Sequence, residues 1–161
     1  MKTMLNTIME IEMFYHREIF DVDDGPFIAN NGPSAMGSYP HLNKVGELLF
    51  ISGMGPRSPI NNEIPGGPIK DENGIPLEYD IKAQTHSVIN NIKEILEEYG
   101  LGLENIVDIM VFLVDMERDF AEYNKIYAEY FSEILPARTT IGIDSLPSPI
   151  AIELKVIAKL N

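Results

Sequence analysis

Arg138 and Glu153 are the two side chains around which a reaction can be built. Arg138 lies in the run Leu135-Pro136-Ala137-Arg138-Thr139-Thr140-Ile141-Gly142-Ile143, and Glu153 in Ala151-Ile152-Glu153-Leu154-Lys155-Val156-Ile157-Ala158. A planar guanidinium grips a carboxylate through two parallel hydrogen bonds, which fixes orientation as well as position. A carboxylate within reach of a water molecule takes its proton as a general base. Together they are the minimum equipment for hydrolysing a small anionic substrate. Taken singly, each residue fits a surface ion pair just as well, so the surrounding pattern has to carry the pair.

Both runs read as strands, joined by Asp144-Ser145-Leu146-Pro147-Ser148-Pro149, whose two prolines cannot sit in a central ladder. In the second run Ile152, Leu154, Val156 and Ala158 point one way, toward a helical layer. The opposite face mixes Ile157 with Glu153. It is either half-exposed or covered by another subunit, because the chain has no second helical layer to spend on it. That points to an oligomer.

The clearest helix spans Ile81 to Tyr99, with Thr85, Val88, Ile89, Ile92, Ile95 and Leu96 completing an apolar stripe, Asp80 as its cap and Gly100 as its end. A second helix is expected from about Asp119. Its aromatic stripe of Phe120, Tyr123, Tyr127, Tyr130 and Phe131 reads as core packing rather than a cofactor box. Ile106–Val114, almost wholly apolar, reads as a strand buried on both faces. Glu47–Gly53 reads as a short buried strand. Between Met54 and Glu78, Pro, Gly, Asn and Asp dominate over about 25 residues, a length that often marks a functional loop. Strands, helix, strand, helix and two strands predict an α+β sandwich with both helices on one face of the sheet. Residues 1–32 form a mixed segment ending in turn signals, an extension of unassigned role, and residues 33–161 form the domain proper.

Composition narrows the function. At 161 residues, 45% apolar and 23% charged, the chain has the makings of one soluble domain with a real core. It has no cysteine, hence no disulfide, thiolate nucleophile or cysteine-held metal. His16, His41 and His86 share no metal-ligand spacing. Asp and Glu outnumber Lys and Arg 25 to 12, for a formal net charge of −13. Nucleic-acid binding draws most of its affinity from Lys and Arg on phosphates, so a nucleic-acid partner is disfavoured. A small anion remains open, because one buried arginine dominates its own surroundings. The amino end lacks the unbroken apolar core of a signal peptide, and no segment approaches the roughly 20 apolar residues of a membrane span. A cytoplasmic protein that does not engage a membrane is expected.

Several runs carry a resemblance. Gly37-Ser38-Tyr39, Leu49-Phe50-Ile51-Ser52-Gly53, Gln84 with Asn91-Ile92, Val111-Phe112-Leu113, Asn124 with Tyr127 and Phe131, Pro136-Ala137-Arg138-Thr139 and Ile152-Glu153-Leu154 are similar to the reactive-intermediate deaminase (RidA/YjgF) family. Tyr39-Pro40-His41, Arg57-Ser58-Pro59, Asp80-Ile81-Lys82-Ala83-Gln84-Thr85 and Arg138-Thr139-Thr140 most resemble its 2-aminomuconate deaminase branch. The resemblance implies a chorismate-mutase-like α+β fold, a mixed sheet with two helices on one face, assembled as a homotrimer with sites between subunits. It implies hydrolysis of a reactive enamine or imine, of the 2-aminomuconate or 2-aminoacrylate type, to an oxo acid and ammonia without metal or cofactor.

In that pattern Arg138 binds the substrate carboxylate and Glu153 positions or activates water. Tyr39 lines the pocket from the neighbouring subunit, and Ser52 and Gly53 lie near the substrate. Arg57 either meets a second carboxylate or is a solvated loop residue. His41 either hydrogen-bonds substrate or packs beside Tyr39. Two departures stand out: Thr140 occupies the place of the best-known branch's Cys, and Lys155 that of a second Glu. Thr140 still offers backbone groups and a hydroxyl to the substrate. The rival readings are a ribonuclease or translation inhibitor, and a non-catalytic trimeric module that binds a small ligand.

Overall fold

Asp80 begins helix α1 (Ile81–Glu98): its carboxylate accepts from the Lys82 and Ala83 N–H groups, two of the donors a helix start leaves open. Ile81, Val88, Ile89, Ile92, Ile95 and Leu96 then fall on one buried stripe. Gly100, at φ 89°, closes the end and donates its N–H to the Glu97 carbonyl. Helix α2 (Met116–Phe131) starts three residues before the expected Asp119. Its cap is Asp115, which accepts from the Arg118 N–H, whereas the aromatic stripe begins only at Phe120.

The molecule is described by a computed structural model over residues 24–161. Residues 1–23, His16 among them, lie outside the described residues. Strands β1 (Gly25–Phe27), β2 (Leu42–Val45), β3 (Leu48–Met54), β4 (Ile106–Leu113), β5 (Ala137–Gly142) and β6 (Ile152–Lys159) form one sheet in the order β1-β2-β3-β6-β4-β5. Every neighbouring pair is antiparallel except β4 with β5. That parallel pair needs a crossover, and α2 supplies it. The expected α+β architecture is present. β1 lies within the segment expected to be an extension, paired to β2 from Gly25 against Lys44 to Phe27 against Leu42.

Two features of the sheet decide where the chemistry sits. First, β5 and β6 follow one another in the chain but are not neighbours, because β6 is inserted between β3 and β4. Second, among the described residues only one face is closed. On the helix side Leu49, Ile109, Val111, Leu113, Leu154 and Val156 are fully buried. β4 is therefore not buried on both faces as its composition predicts: Val107 and Met110, pointing away from the helices, are 43% and 37% exposed. Among the described residues, no second layer meets its apolar outer residues.

The long loop between β3 and α1 is ordered by hydrogen bonds. Ile69 donates its N–H to the Pro149 carbonyl, and the fully buried Gln84 bridges Gly67 O and the Ala151 N–H. At Gly66, φ is 86° and a Cβ would stand 2.5 Å from the Asp80 carbonyl, so only glycine lets the loop dock on the start of α1. Tyr79 ties the end of the loop to α2, donating to the buried Asp119 carboxylate at 2.7 Å. No helix among the described residues is long and apolar enough to cross a membrane.

Candidate active site

β3 and β6 lose register between Ile51 and Met54: Ile51 pairs with Val156 and Met54 with Leu154, so Ser52 and Gly53 together oppose Lys155. A bulge of this kind bends the strand and re-aims side chains, and here it opens a cavity of about 250 Å³. Tyr39, His41, Ser52, Gly53, Arg57 and Glu153 line it, with residues 33–36 as one wall.

Glu153 is the half-buried acid of this cavity. It projects from β6 on the face away from the helices, paired with Phe112. A Cβ on Gly53 would come within 2.4 Å of its Oε1, so the carboxylate lies directly over the bare glycine. Burial raises its pKa above the ordinary glutamate range, and no neighbouring cation offsets that rise. Such a group is a stronger base than a solvated carboxylate.

The other lining residues are held by short local bonds. Ser52 Oγ donates to the Pro40 carbonyl at 2.7 Å, and the Ser52 N–H to the His41 carbonyl at 2.9 Å, which fixes the Tyr39–His41 segment over the bulge. Tyr39 is 45% exposed, and its hydroxyl accepts from the Met36 N–H at 3.1 Å. Within this chain Tyr39 and Glu153 line the same cavity. His41 is buried. The Ala29 N–H donates to its Nδ1 at 3.0 Å, so the proton resides on Nε2, which donates to the Pro33 carbonyl at 2.9 Å. Both ring nitrogens are committed to the wall. Arg57 lines the cavity with its guanidinium bonded to Asn62 Oδ1 at 3.0 Å and to the Ser34 carbonyl at 2.8 Å.

Arg138 and Thr140 are not part of this cavity. They pair with the buried Ile109 and Val111, so their side chains share the helix face, at the free edge of the sheet. Arg138 donates to Asn124 Oδ1 at 2.9 Å and lies 4.5 Å above the Tyr127 ring and 5.8 Å from that of Tyr123. The Tyr127 hydroxyl is buried beside it with no hydrogen-bond partner among the described residues, and the buried Tyr123 hydroxyl faces Thr140 and Arg138. Burial pushes the Tyr127 hydroxyl up to about 12. Within one chain, then, Arg138 and Glu153 are two strands apart and point to opposite sides of the sheet.

Sequence reasoning missed Asn124, Tyr123 and Tyr127 as the seat of Arg138. The stripe reads as core, and Tyr123 is indeed fully buried, yet the same rings present a face to the guanidinium. The available signal was Asn124, a polar residue beside an aromatic stripe and on the helix preceding Arg138. Among the described residues no three His, Asp or Glu side chains gather closely enough to hold a metal ion.

Comparison with known proteins places this geometry among relatives. The family model described as Endoribonuclease L-PSP matches residues 29–160. A RutC family protein of Pyrococcus horikoshii is 41% identical over 128 residues, which cover 80% of this chain and 91% of that protein. The crystal structure of the YjgF gene product of E. coli superposes with a TM-score of 0.71 at 30% identity, covering 84% of this chain and 98% of that one. The structure of E. coli TdcF with bound serine aligns with a TM-score of 0.70 at 27% identity, over 84% and 98% of the two chains.

Proposed function

The chain belongs to the endoribonuclease L-PSP family, also known as RidA/YjgF/RutC, and from that premise we propose that it is a deaminase that hydrolyses the enamine or imine of a small unsaturated amino acid. The observation that carries this reading is a half-buried carboxylate, Glu153, raised in pKa and laid over Gly53 in a cavity sized for a small molecule. The reaction needs only positioning and proton transfer. Water adds through oxygen to the imine carbon while Glu153 accepts its proton. Glu153 returns that proton to the nitrogen, giving a carbinolamine, then carries the hydroxyl proton to the amino group, so that the C–N bond breaks and ammonia leaves as the carbonyl forms.

The substrate carboxylate falls to Arg138. Because Arg138 and Glu153 point to opposite faces in one chain, a single substrate meets both only where the β5 edge of one copy approaches the open face of another. The partly exposed Val107, Met110 and Ile141 on that face support such an approach. A homotrimer with three equivalent clefts is the assembly we propose, with Tyr39, Ser52, Gly53, Arg57 and Glu153 from one copy and Arg138 and Thr140 from the next. The 2-aminomuconate type of substrate is favoured over 2-aminoacrylate by Arg57, a second guanidinium in the cavity suited to a second carboxylate.

The test is ammonia release from both substrates, generated in situ. Wild type should accelerate it, and Arg138→Ala should reduce the rate by about a hundredfold or more while leaving the assembly intact. Normal turnover in that variant would falsify the role of Arg138. The family description keeps a ribonuclease reading in view. The formal charge of −13 runs against it, and RNA cleavage that is salt-sensitive and lost in Arg138→Ala would restore it. Tight ligand binding without ammonia release from either substrate would favour a binding module.

A further inference from the structure

Arg57 is aimed from three sides. Nη1 donates to Asn62 Oδ1 at 3.0 Å and Nη2 to the Ser34 carbonyl at 2.8 Å. Its own carbonyl accepts from Asn91 Nδ2 at 2.9 Å, and the same nitrogen donates to the Gly55 carbonyl at 2.9 Å. Asn91, on α1, is 5% exposed, so the backbone under Arg57 is pinned from within the molecule. One turn earlier on α1, Ser87 Oγ donates to the Pro56 carbonyl at 2.7 Å, and three successive carbonyls are thus held by one helix.

Asn62 is held no less firmly. Its φ of 59° lies in the left-handed region, and its N–H donates to the Ser58 carbonyl at 3.0 Å while the Ser58 N–H donates to the Glu63 carbonyl at 2.8 Å. Asparagine is one of the few non-glycine residues that enters this region readily, and in this turn its side chain meets the guanidinium.

A guanidinium carries five N–H donors, and the bonds to Asn62 and Ser34 use two of them. What remains is a fixed positive fork with donors to spare. A fork already fixed in place gives up less freedom on binding than a mobile one.

We propose that Asn62 and Asn91 are positioning residues that aim Arg57 at the second carboxylate of the substrate, and thereby set a preference for dicarboxylates over monocarboxylates. This rests on the reading of the cavity as the substrate site, but not on the chemistry performed there.

The test compares adipate and hexanoate, stable chains that differ by one carboxylate, as ligands of the assembled protein by calorimetry. The wild type should bind adipate more tightly, and Arg57→Ala should erase most of that preference, about tenfold or more. Asn62→Gly should lower it about three- to tenfold, with a smaller change in the hexanoate Kd, because only the aim of the fork is altered. Glycine accepts φ 59° without strain, so the variant should melt at the same temperature or higher, and unfolding cannot explain a loss. Asn91→Ala should lower the preference too, at some expense in stability. An Asn62→Gly protein with the full wild-type preference overturns the proposal, as does equal weakening of both ligands. If Arg57→Ala leaves the preference intact while turnover still depends on Arg138, the proposal fails and the deaminase reading survives. If the preference follows Asn62 but no substrate is turned over, the deaminase reading fails and the proposal stands.

Discussion

The two faces of the sheet are finished by different means. Toward α1 and α2, Leu49, Ile109, Val111, Leu154 and Val156 are fully buried, and the chain's own helices close the layer. Away from the helices, Val107 and Met110 stay partly open and Glu153 sits in a cavity. Each face carries one half of the proposed chemistry. Arg138, with Asn124 and Tyr127, belongs to the margin of the closed face; Glu153, with Gly53 and Arg57, belongs to the open one. The difference teaches that one chain is enough to complete the fold, whereas the proposed reaction needs two.

The largest break in this comparison should come from the open face. Glu153→Gln should lower kcat by about a hundred- to ten-thousandfold with little change in KM, since binding is left to the arginines. The pH profile sharpens the assignment. Burial raises the Glu153 pKa, so the ionised base is lost as pH falls through a value above the usual glutamate range, and wild-type kcat should fall there. The residual rate of the Gln variant should lack that limb. An acid limb that persists in the variant would assign the titration to another group.

A pair of truncations then separates the faces by stability. Leu154→Ala removes a fully buried side chain and should cost about 2–5 kcal/mol at any protein concentration. Val107→Ala, at a position 43% exposed in one chain, should cost about 0.5 kcal/mol or less in dilute protein. At higher concentration, where copies cover that face, its cost should grow. Denaturant titrations at two concentrations read this directly, and a Val107→Ala cost that never varies would leave the open face without a partner.

The smallest effect is expected under Arg138. Tyr127→Phe removes a buried hydroxyl that has no partner among the described residues but keeps the ring face beneath the guanidinium, so turnover should stay within about threefold of wild type. Tyr127→Leu, which removes the ring face, should raise KM further. Equal losses in the two variants would give the hydroxyl a role that its lack of a partner does not suggest.

How much of this the sequence discloses depends on whether a feature is local. The α1 stripe and its Asp80 cap are local, and both are where the spacing predicts. The alternation of β6 is local too, and it separates Leu154 from Glu153 correctly. The strand order is not local: nothing in the run from Ala137 to Lys159 says that β6 pairs with β3 and β4 instead of folding back on β5. The apolar composition of β4 reads as burial on both faces because an apolar face left open looks, in sequence, like a face buried in the chain. The start of α2 was misplaced because its cap, Asp115, precedes the aromatic stripe. At the site, the Pro-Ala-Arg-Thr run and Glu153 stand out by type and context. Their opposite orientation becomes visible only through the partners Ile109 and Phe112 across the ladder.

The central claim, that Arg138 and Glu153 meet across copies, is tested most directly by mixing two disabled proteins. Arg138→Ala and Glu153→Gln, unfolded together in equal amounts and refolded, form mixed assemblies in which some clefts draw an intact Arg138 from one chain and an intact Glu153 from the next. For a closed ring with random mixing, about a quarter of the clefts should be whole, and ammonia release should recover to about that fraction of wild type. If each site lies within one chain, every site in the mixture lacks one residue, and release stays at the level of the separate variants.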